Sequence, residues 1–343
     1  MPKKPRSPDH LPCATPTLID VAQVAGVSPI TVSRALHRPE IVSEHARLKV
    51  RAAVEKTGYV PNQLAGSLAS NRSKLVAIFV PTIANSIFAD TVQALMDRLA
   101  QAGYQTLLGL TGYSAEREET LLDAVLARRP DGIVLTGTLH TDASRQRLAR
   151  SRVPVVEAWD LAEAPLDMLV GFSHEAVGHA IAEHLLGKGY TRFGVVSVAD
   201  PRGLRRCHSV LDALRGRGIE GSPLEAITPP ATLEGGREGL RRLLGYARPP
   251  QVVVCSSDTL AQGVLAEAAS RGLRVPQDVA VMGFGDLSSA AHVHPALSTV
   301  RVDGTRIGEE TAKALLARFG GQGSGLPPLR LDTGFTLIDR ATT

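Results

Sequence analysis

The sequence predicts an all-α helix-turn-helix headpiece followed by an α/β core of two doubly wound lobes. Three observations carry that prediction. Residues 17–60 place apolar side chains at helical spacing, with breaks at Gly26 and Gly58. From Leu75 onward, short unbroken apolar runs alternate with amphipathic stretches. The length of 343 residues exceeds what a single hydrophobic core usually organises.

Residues 1–16 are proline-rich with few apolar anchors, and read as a disordered arm. Thr17 reads as the N-cap of a first helix that turns Leu18, Val21, Ala22 and Ala25 inward. Gly26 permits a tight turn. Ser28 caps a second helix, with Pro29 at its first position, where the missing N–H has no intrahelical partner to lose. Val32 and Leu36 form its buried face, and Pro39 marks the loop beyond. Ser43 opens a third helix with Ala46, Val50, Ala53 and Val54 inward, and Gly58 ends it as a C′ glycine. Three short helices, the first two joined at a glycine turn, make the helix-turn-helix arrangement over 17–60.

The core, 75–343, opens with LVAIFV at 75–80, YQTLLGL at 104–110, GIVLT at 132–136 and VPVVEA at 153–158. Helices ending near Gly103, Arg129 and Arg152 separate them. After a connecting segment come FGVVSV at 193–198, VVVCSS at 252–257 and VAVMGF at 279–284. Strands without in/out alternation are buried on both faces, as parallel strands covered by helices are. Ligands in such sheets bind at the carboxyl ends of strands, which in a two-lobed protein is the cleft.

Bulk properties exclude several classes. An apolar fraction of 43% and a charged fraction of 21% are ordinary for a soluble protein. No apolar run is long enough to span a membrane, and no apolar signal core follows the basic N-terminus, so a cytoplasmic protein is expected. Cys13, Cys207 and Cys255 are too scattered for a disulfide framework, and none sits at metal-ligand spacing, so neither metal nor cofactor is expected. The net charge of +4 is unevenly spread. Residues 1–74 hold eleven basic against five acidic residues, a balance of +6, and the remainder holds 27 against 29. A basic module attached to a near-neutral body is the electrostatic footprint of nucleic-acid binding.

The segment TLIDVAQVAGVSPITVSRALHRPEIVSEHARLKVRAAVEKTGYVPNQLAGSLAS (17–70) resembles, without a gap, the DNA-binding headpiece of the LacI/GalR repressor family. The lobes behind it resemble that family's periplasmic-binding-protein-like core. The resemblance implies a homodimeric repressor that grips double-stranded operator DNA and senses a small effector. A recognition helix presents its first residues to base edges in the major groove. Here the implied DNA contacts are Thr17, Ser28, Pro29, Ile30, Thr31, Ser33 and Arg34. Arg34 can fork onto guanine O6 and N7, while Pro29 and Ile30 can only pack against thymine methyls or shape the fit. QLAGSLAS resembles the family hinge helix, so 61–74 is expected to be hinge and linker, with Asn62, Ala65 and Leu68 at the DNA. The leucine would wedge between base steps of the minor groove. So short a helix is unstable alone, and could fold on DNA and melt when the lobes move.

For the effector, the resemblance implies Asn85, Phe88, Trp159, Arg206, Ser257, Asp258, Gly285 and Asp286. Arg206 looks like the family arginine that holds ligand oxygens, with Arg202 and Arg205 as neighbouring alternatives. Trp159, the only tryptophan, could cover a sugar ring or belong to the core. Many sugar repressors carry an aspartate where Gly285 stands, with Asp286 following here. Losing that carboxylate removes a charge that would repel an acidic ligand. Residues 153–174 and 283–304 are similar to those of gluconate-utilisation repressors, so a sugar acid such as gluconate or a relative is the expected effector.

The rivals are a solute-binding protein without a DNA role, a regulator of this type answering a neutral sugar or purine, and an enzyme. A solute-binding protein has no use for the headpiece. Gly235, Gly236 and Gly239 suggest a phosphate loop, but no preceding strand is evident and no Lys-Ser/Thr follows. His174, His179 and His184 ride one helix at five-residue steps and do not share a face, so solvated or packing histidines are expected.

Overall fold

The computed structural model describes residues 16–60, 72–83, 86–138, 140–320 and 329–343. Asn62, Ala65, Leu68 and Asn85 lie outside the described residues, as does the arm up to residue 15. The chain divides into two compact units, Met1–Ser73 and Lys74–Thr343.

In the first unit, α1 (Leu18–Ala25), α2 (Pro29–His37) and α3 (Glu44–Thr57) close around Val21, Ala22, Ala25, Val32, Val50, Ala53 and Tyr59. Each helix starts at a hydroxyl cap: Thr17, Ser28 and Ser43 accept from the backbone N–H groups of Asp20, Thr31 and Ala46. Thr17 and Asp20 form a reciprocal capping box, since the Asp20 carboxylate accepts the Thr17 N–H at 2.7 Å. Gly26 and Gly58 both take the left-handed conformation, φ 64 and 65, that a Cβ would penalise. One detail differs from expectation: Pro39–Ile41 form a 3-10 turn rather than an open loop.

The second unit holds two parallel sheets. The first lobe contains β1 (Leu75–Val80), β2 (Gln105–Leu110), β3 (Gly132–Thr136), β4 (Val155–Ala158) and β5 (Met168–Gly171). The order is β11-β5-β4-β3-β1-β2, where β11 (Arg330–Asp332) comes from near the C-terminus. Helices α4 (Ala89–Gln101), α5 (Ala115–Leu126) and α6 (Asp142–Ser151) connect its strands. The second lobe contains β6 (Phe193–Val198), β7 (Leu224–Ile227), β8 (Val252–Cys255) and β9 (Ala280–Met282), in the order β7-β6-β8-β9. Its helices are α7 (His174–Gly187), α8 (Pro201–Gly216), α9 (Leu233–Leu244) and α10 (Asp258–Ser270).

The chain then returns to the first lobe as α11 (Gly304–Phe319), which packs on α4. An antiparallel pair, β10 (Thr299–Arg301) with β12 (Thr336–Ile338), accompanies this return. Strand β5 lies inside the segment expected to be a mere connector. Strand β7 precedes the glycine run of α9, where no strand was expected. Those glycines serve packing instead: a Cβ on Gly236 would collide with the Leu260 carbonyl, and one on Gly263 with that of Leu233. Helices α9 and α10 therefore meet backbone to backbone. Among the described residues, no helix is long and apolar enough to cross a membrane.

Candidate functional site

Two surfaces collect the residues singled out by sequence. On α2, Ile30 is 64% exposed and Arg34 is also exposed, one helical turn away on the same face. Ser33 is half-buried beside them. Ser28 and Thr31 are already tied to each other, their hydroxyls 2.9 Å apart, while Ser28 also caps the helix. These two hydroxyls orient the helix start, and Ile30 and Arg34 are the side chains left for an outside partner.

In the core, the carboxyl ends of β4, β6, β8 and β9 converge on a cavity, the place where open α/β sheets bind ligands. Phe88, Trp159, Arg206 and Ser257, four of the residues singled out by sequence, line it. Its floor is Arg206, from the second turn of α8 and 6% exposed. The guanidinium lies 3.6 Å over the Phe284 ring, donates to His174 Nδ1 at 2.9 Å, and donates to the Ser256 carbonyl at 2.6 Å. Burial lowers its pKa to about 10, which still leaves it charged at neutral pH.

The nearby carboxylates are committed elsewhere. Asp160 pairs with Arg205 at 3.0 Å, and Asp200 caps α8 through the N–H groups of Arg202 and Gly203. Among the described residues, no carboxylate forms an ion pair with Arg206. A buried charge without a counter-charge is costly.

His174 was expected to be solvated or simply packed. It is 2% exposed and forms a wall of the cavity. Burial, and then the positive field of Arg206, Arg202 and Arg205, hold its pKa well below the usual value. The ring is neutral, with Nδ1 accepting from Arg206 and Nε2–H donating to the Trp159 carbonyl at 3.1 Å. Trp159 itself sits at φ 69, stacks edge-on with Phe88 at 5.0 Å, and donates its indole N–H to Thr91 Oγ1 at 3.0 Å. Strained backbone of this kind persists where surrounding contacts over-determine it.

Three expected effector residues are elsewhere. Asp286 does not line the cavity; its two oxygens are held by Arg301 and Arg340, each at 2.7 Å. Asp258 is fully buried and accepts from Thr299 Oγ1 at 2.6 Å and the Leu287 N–H at 2.7 Å. Burial raises its pKa to about 6. The Gly285 corner is not open, because Ile87 occupies it, within 3.2 Å of where a Cβ would sit. Sequence reasoning missed Tyr113, Asp200 and Phe284 as lining residues. Arg202, weighed as an alternative to Arg206, lines the cavity with it; Arg205 does not and pairs with Asp160 instead.

Comparison with known proteins agrees with this division. Residues 17–62 match the family described as bacterial regulatory proteins, lacI family, and residues 182–343 match a periplasmic binding protein-like domain. The chain is 40% identical over 332 residues, 96% of each protein, to the HTH-type transcriptional regulator GntR of Pseudomonas aeruginosa. A LacI-family transcriptional regulator from Silicibacter pomeroyi superposes with a TM-score of 0.89 at 31% identity, covering 95% of this chain and 98% of that one. The lac repressor dimer bound to operator and an anti-inducer superposes with a TM-score of 0.80 at 25% identity, covering 96% and 99%.

Proposed function

The chain belongs to the LacI family of bacterial regulatory proteins, and we propose that it is a homodimeric repressor whose grip on operator DNA is set by a sugar acid. Gluconate or a close relative is the ligand chemistry proposed. The DNA-binding and regulatory character follows from the family. The ligand class rests on one observation: Arg206, a buried guanidinium on the cavity floor, lacks a carboxylate partner among the described residues. A ligand carboxylate would supply the missing charge, and charge-assisted hydrogen bonds to guanidinium are the strong ones. Arg202 adds a second positive group, and the rings of Phe88 and Trp159 offer apolar faces to a carbon chain. The Pseudomonas aeruginosa relative, 40% identical, is named GntR, which supports this choice.

The mechanism proposed is a population shift. Lining residues come from both lobes, so a ligand between them favours one lobe arrangement over another. That arrangement would decide whether the segment around Asn62, Ala65 and Leu68 pairs on DNA, with ligand relieving repression. Leu68→Ala is expected to weaken operator binding and spare the ligand, and Arg206→Ala to do the reverse.

Thermal melting with gluconate, keto-gluconates, their phosphates, neutral sugars and purines tests the ligand class without knowledge of the operator. A ligand at 100 times its Kd adds about 2.7 kcal/mol, readily seen as a raised Tm. A shift with sugar acids, absent in Arg206→Ala, is the expected result. A shift with neutral sugars or purines alone overturns the ligand assignment and leaves the regulator.

A further inference from the structure

We propose that the edge of the first lobe opposite the cleft is a second DNA-binding surface, one that holds duplex phosphates. This rests on the DNA-binding reading above and extends it to residues outside the headpiece. All six strands of that sheet are parallel, so their amino ends share one edge. Lys74 stands just before β1, Arg128 and Arg129 before β3, Arg150 and Arg152 before β4, and Arg330 opens β11. All six are exposed.

Two independent features set these residues apart. The first is pairing. On the second lobe, Arg217 pairs with Glu183 at 2.7 Å, Arg242 with Glu238 at 2.8 Å and Arg274 with Asp278 at 2.7 Å, while Arg192 and Arg248, also exposed, form no ion pair among the described residues. Among the described residues, none of the five edge arginines forms an ion pair. Of this lobe's acids, Glu119 and Asp123 pair with Arg147 and Asp167 with Arg318, and Asp131, just before β3, accepts the Lys74 N–H at 3.0 Å. The Lys74 ammonium lies 4.2 Å over the Tyr104 ring.

The second feature is the backbone. Lys74, Arg129 and Arg152 sit at φ 56, 50 and 56, in the left-handed region where glycine or asparagine is the cheap choice. Of the other non-glycine residues in that region, Tyr113 and Trp159 line the cavity and Asp286 is held by two ion pairs. Strain of this sort collects where a side chain is needed. Here it is a cation each time.

A competing account assigns these cations to the carboxyl ends of α5 and α6, whose dipoles they offset. Arg128 does donate to the Ala124 carbonyl, at 2.6 Å. That role affects folding stability and leaves the salt dependence of DNA binding untouched, which separates the two.

The test is fluorescence anisotropy of the full chain with a labelled random-sequence duplex at rising sodium chloride. The variant carries Arg128→Gln, Arg129→Gln, Arg150→Gln and Arg152→Gln. Each phosphate no longer neutralised makes the slope of log K against log salt shallower by about 0.9 and weakens binding roughly 5-fold at about 0.15 M salt. The variant is expected to release at least two phosphates, a weakening of roughly 30-fold. A control with Arg217→Gln, Arg242→Gln and Arg274→Gln should keep the parental slope.

An unchanged slope in the edge variant, or an equal weakening in the control, overturns the proposal. A parent without salt-dependent binding overturns the DNA-binding reading and the proposal with it. Should the fourfold variant fold poorly, Arg129→Gly with Arg152→Gly relieves the backbone instead. Its Tm should hold or rise while DNA affinity falls, and retained affinity sinks the proposal.

Discussion

On the outer face of α2, Ile30 is 64% exposed and the Arg34 side chain makes no hydrogen bond or ion pair among the described residues, whereas Arg206 on the cavity floor is 6% exposed and its side chain already holds a histidine and a carbonyl. Both arginines are offered to a partner, but at different cost. The headpiece leaves the side chains proposed to read DNA out of its own fold, so stability and the proposed recognition are separate there. The cleft builds its walls from side chains that hold each other, so stability and recognition are shared.

His174→Ala should break that sharing most severely. It leaves Arg206 Nη1 and the Trp159 carbonyl without their partner and opens a void between Phe172 and the cavity. Buried groups left unsatisfied cost ~1–3 kcal/mol each, so a loss of about 4 kcal/mol together with loss of ligand binding is expected. Urea unfolding measures the first and calorimetry the second. A variant that loses ligand affinity with unchanged stability would make the cleft resemble the headpiece.

Away from the cavity, His140 gives the first lobe a pH dependence. Burial opposes its charge, but Glu118 at 2.8 Å and Glu157 at 3.4 Å outweigh it and raise the pKa from 6.5 to about 9. The folded state binds the proton more tightly. Its contribution is therefore complete below pH 6.5 and is lost as pH rises through 9, about 3 kcal/mol in all. Asp258 acts lower on the scale: with its pKa raised from 3.8 to about 6, it costs stability as pH rises through that window. Urea unfolding from pH 4 to 10 should show both limbs. His140→Gln should flatten only the alkaline one and Asp258→Asn only the acid one; a parent curve flat above pH 7 refutes the His140 assignment.

Arg34→Ala tests the separation from the other side. Operator affinity should fall by about 2 kcal/mol, the scale of one bidentate base contact, with no change in Tm. A lowered Tm would mean that Arg34 belongs to the fold of the headpiece.

The same contrast decides what was legible in the sequence. In the headpiece every signal is local: Thr17, Ser28 and Ser43 cap the residues three positions on, and Gly26 and Gly58 supply the left-handed turns. The cleft is assembled from distant segments. Asp286 looked free because its partner Arg340 comes 54 residues later, after the chain has visited the other lobe and returned. His174 looked ordinary because its partner Arg206 is 32 residues away on another helix. Strand β7, LEAI, carries a charge in mid-strand and pairs only at a sheet edge, so no apolar run announced it. Phe88, Trp159 and Ser257 were legible because each stands just beyond a strand or at a helix cap, where open sheets place ligands.

The smallest effect predicted falls on the headpiece cap. Thr17 Oγ1 accepts the Asp20 N–H, and the Asp20 carboxylate accepts the Thr17 N–H and hydroxyl in return. Thr17→Ala removes the hydroxyl from both exchanges and should cost about 1 kcal/mol of local stability. Because the two units are separately compact, the loss should stay within residues 17–60. Hydrogen exchange read by mass spectrometry would show faster exchange in headpiece peptides and unchanged protection in β1, β3 and β8. Faster exchange in those core strands as well would mean that the two units share stability after all, and that the separation between reading and sensing is not built into the fold.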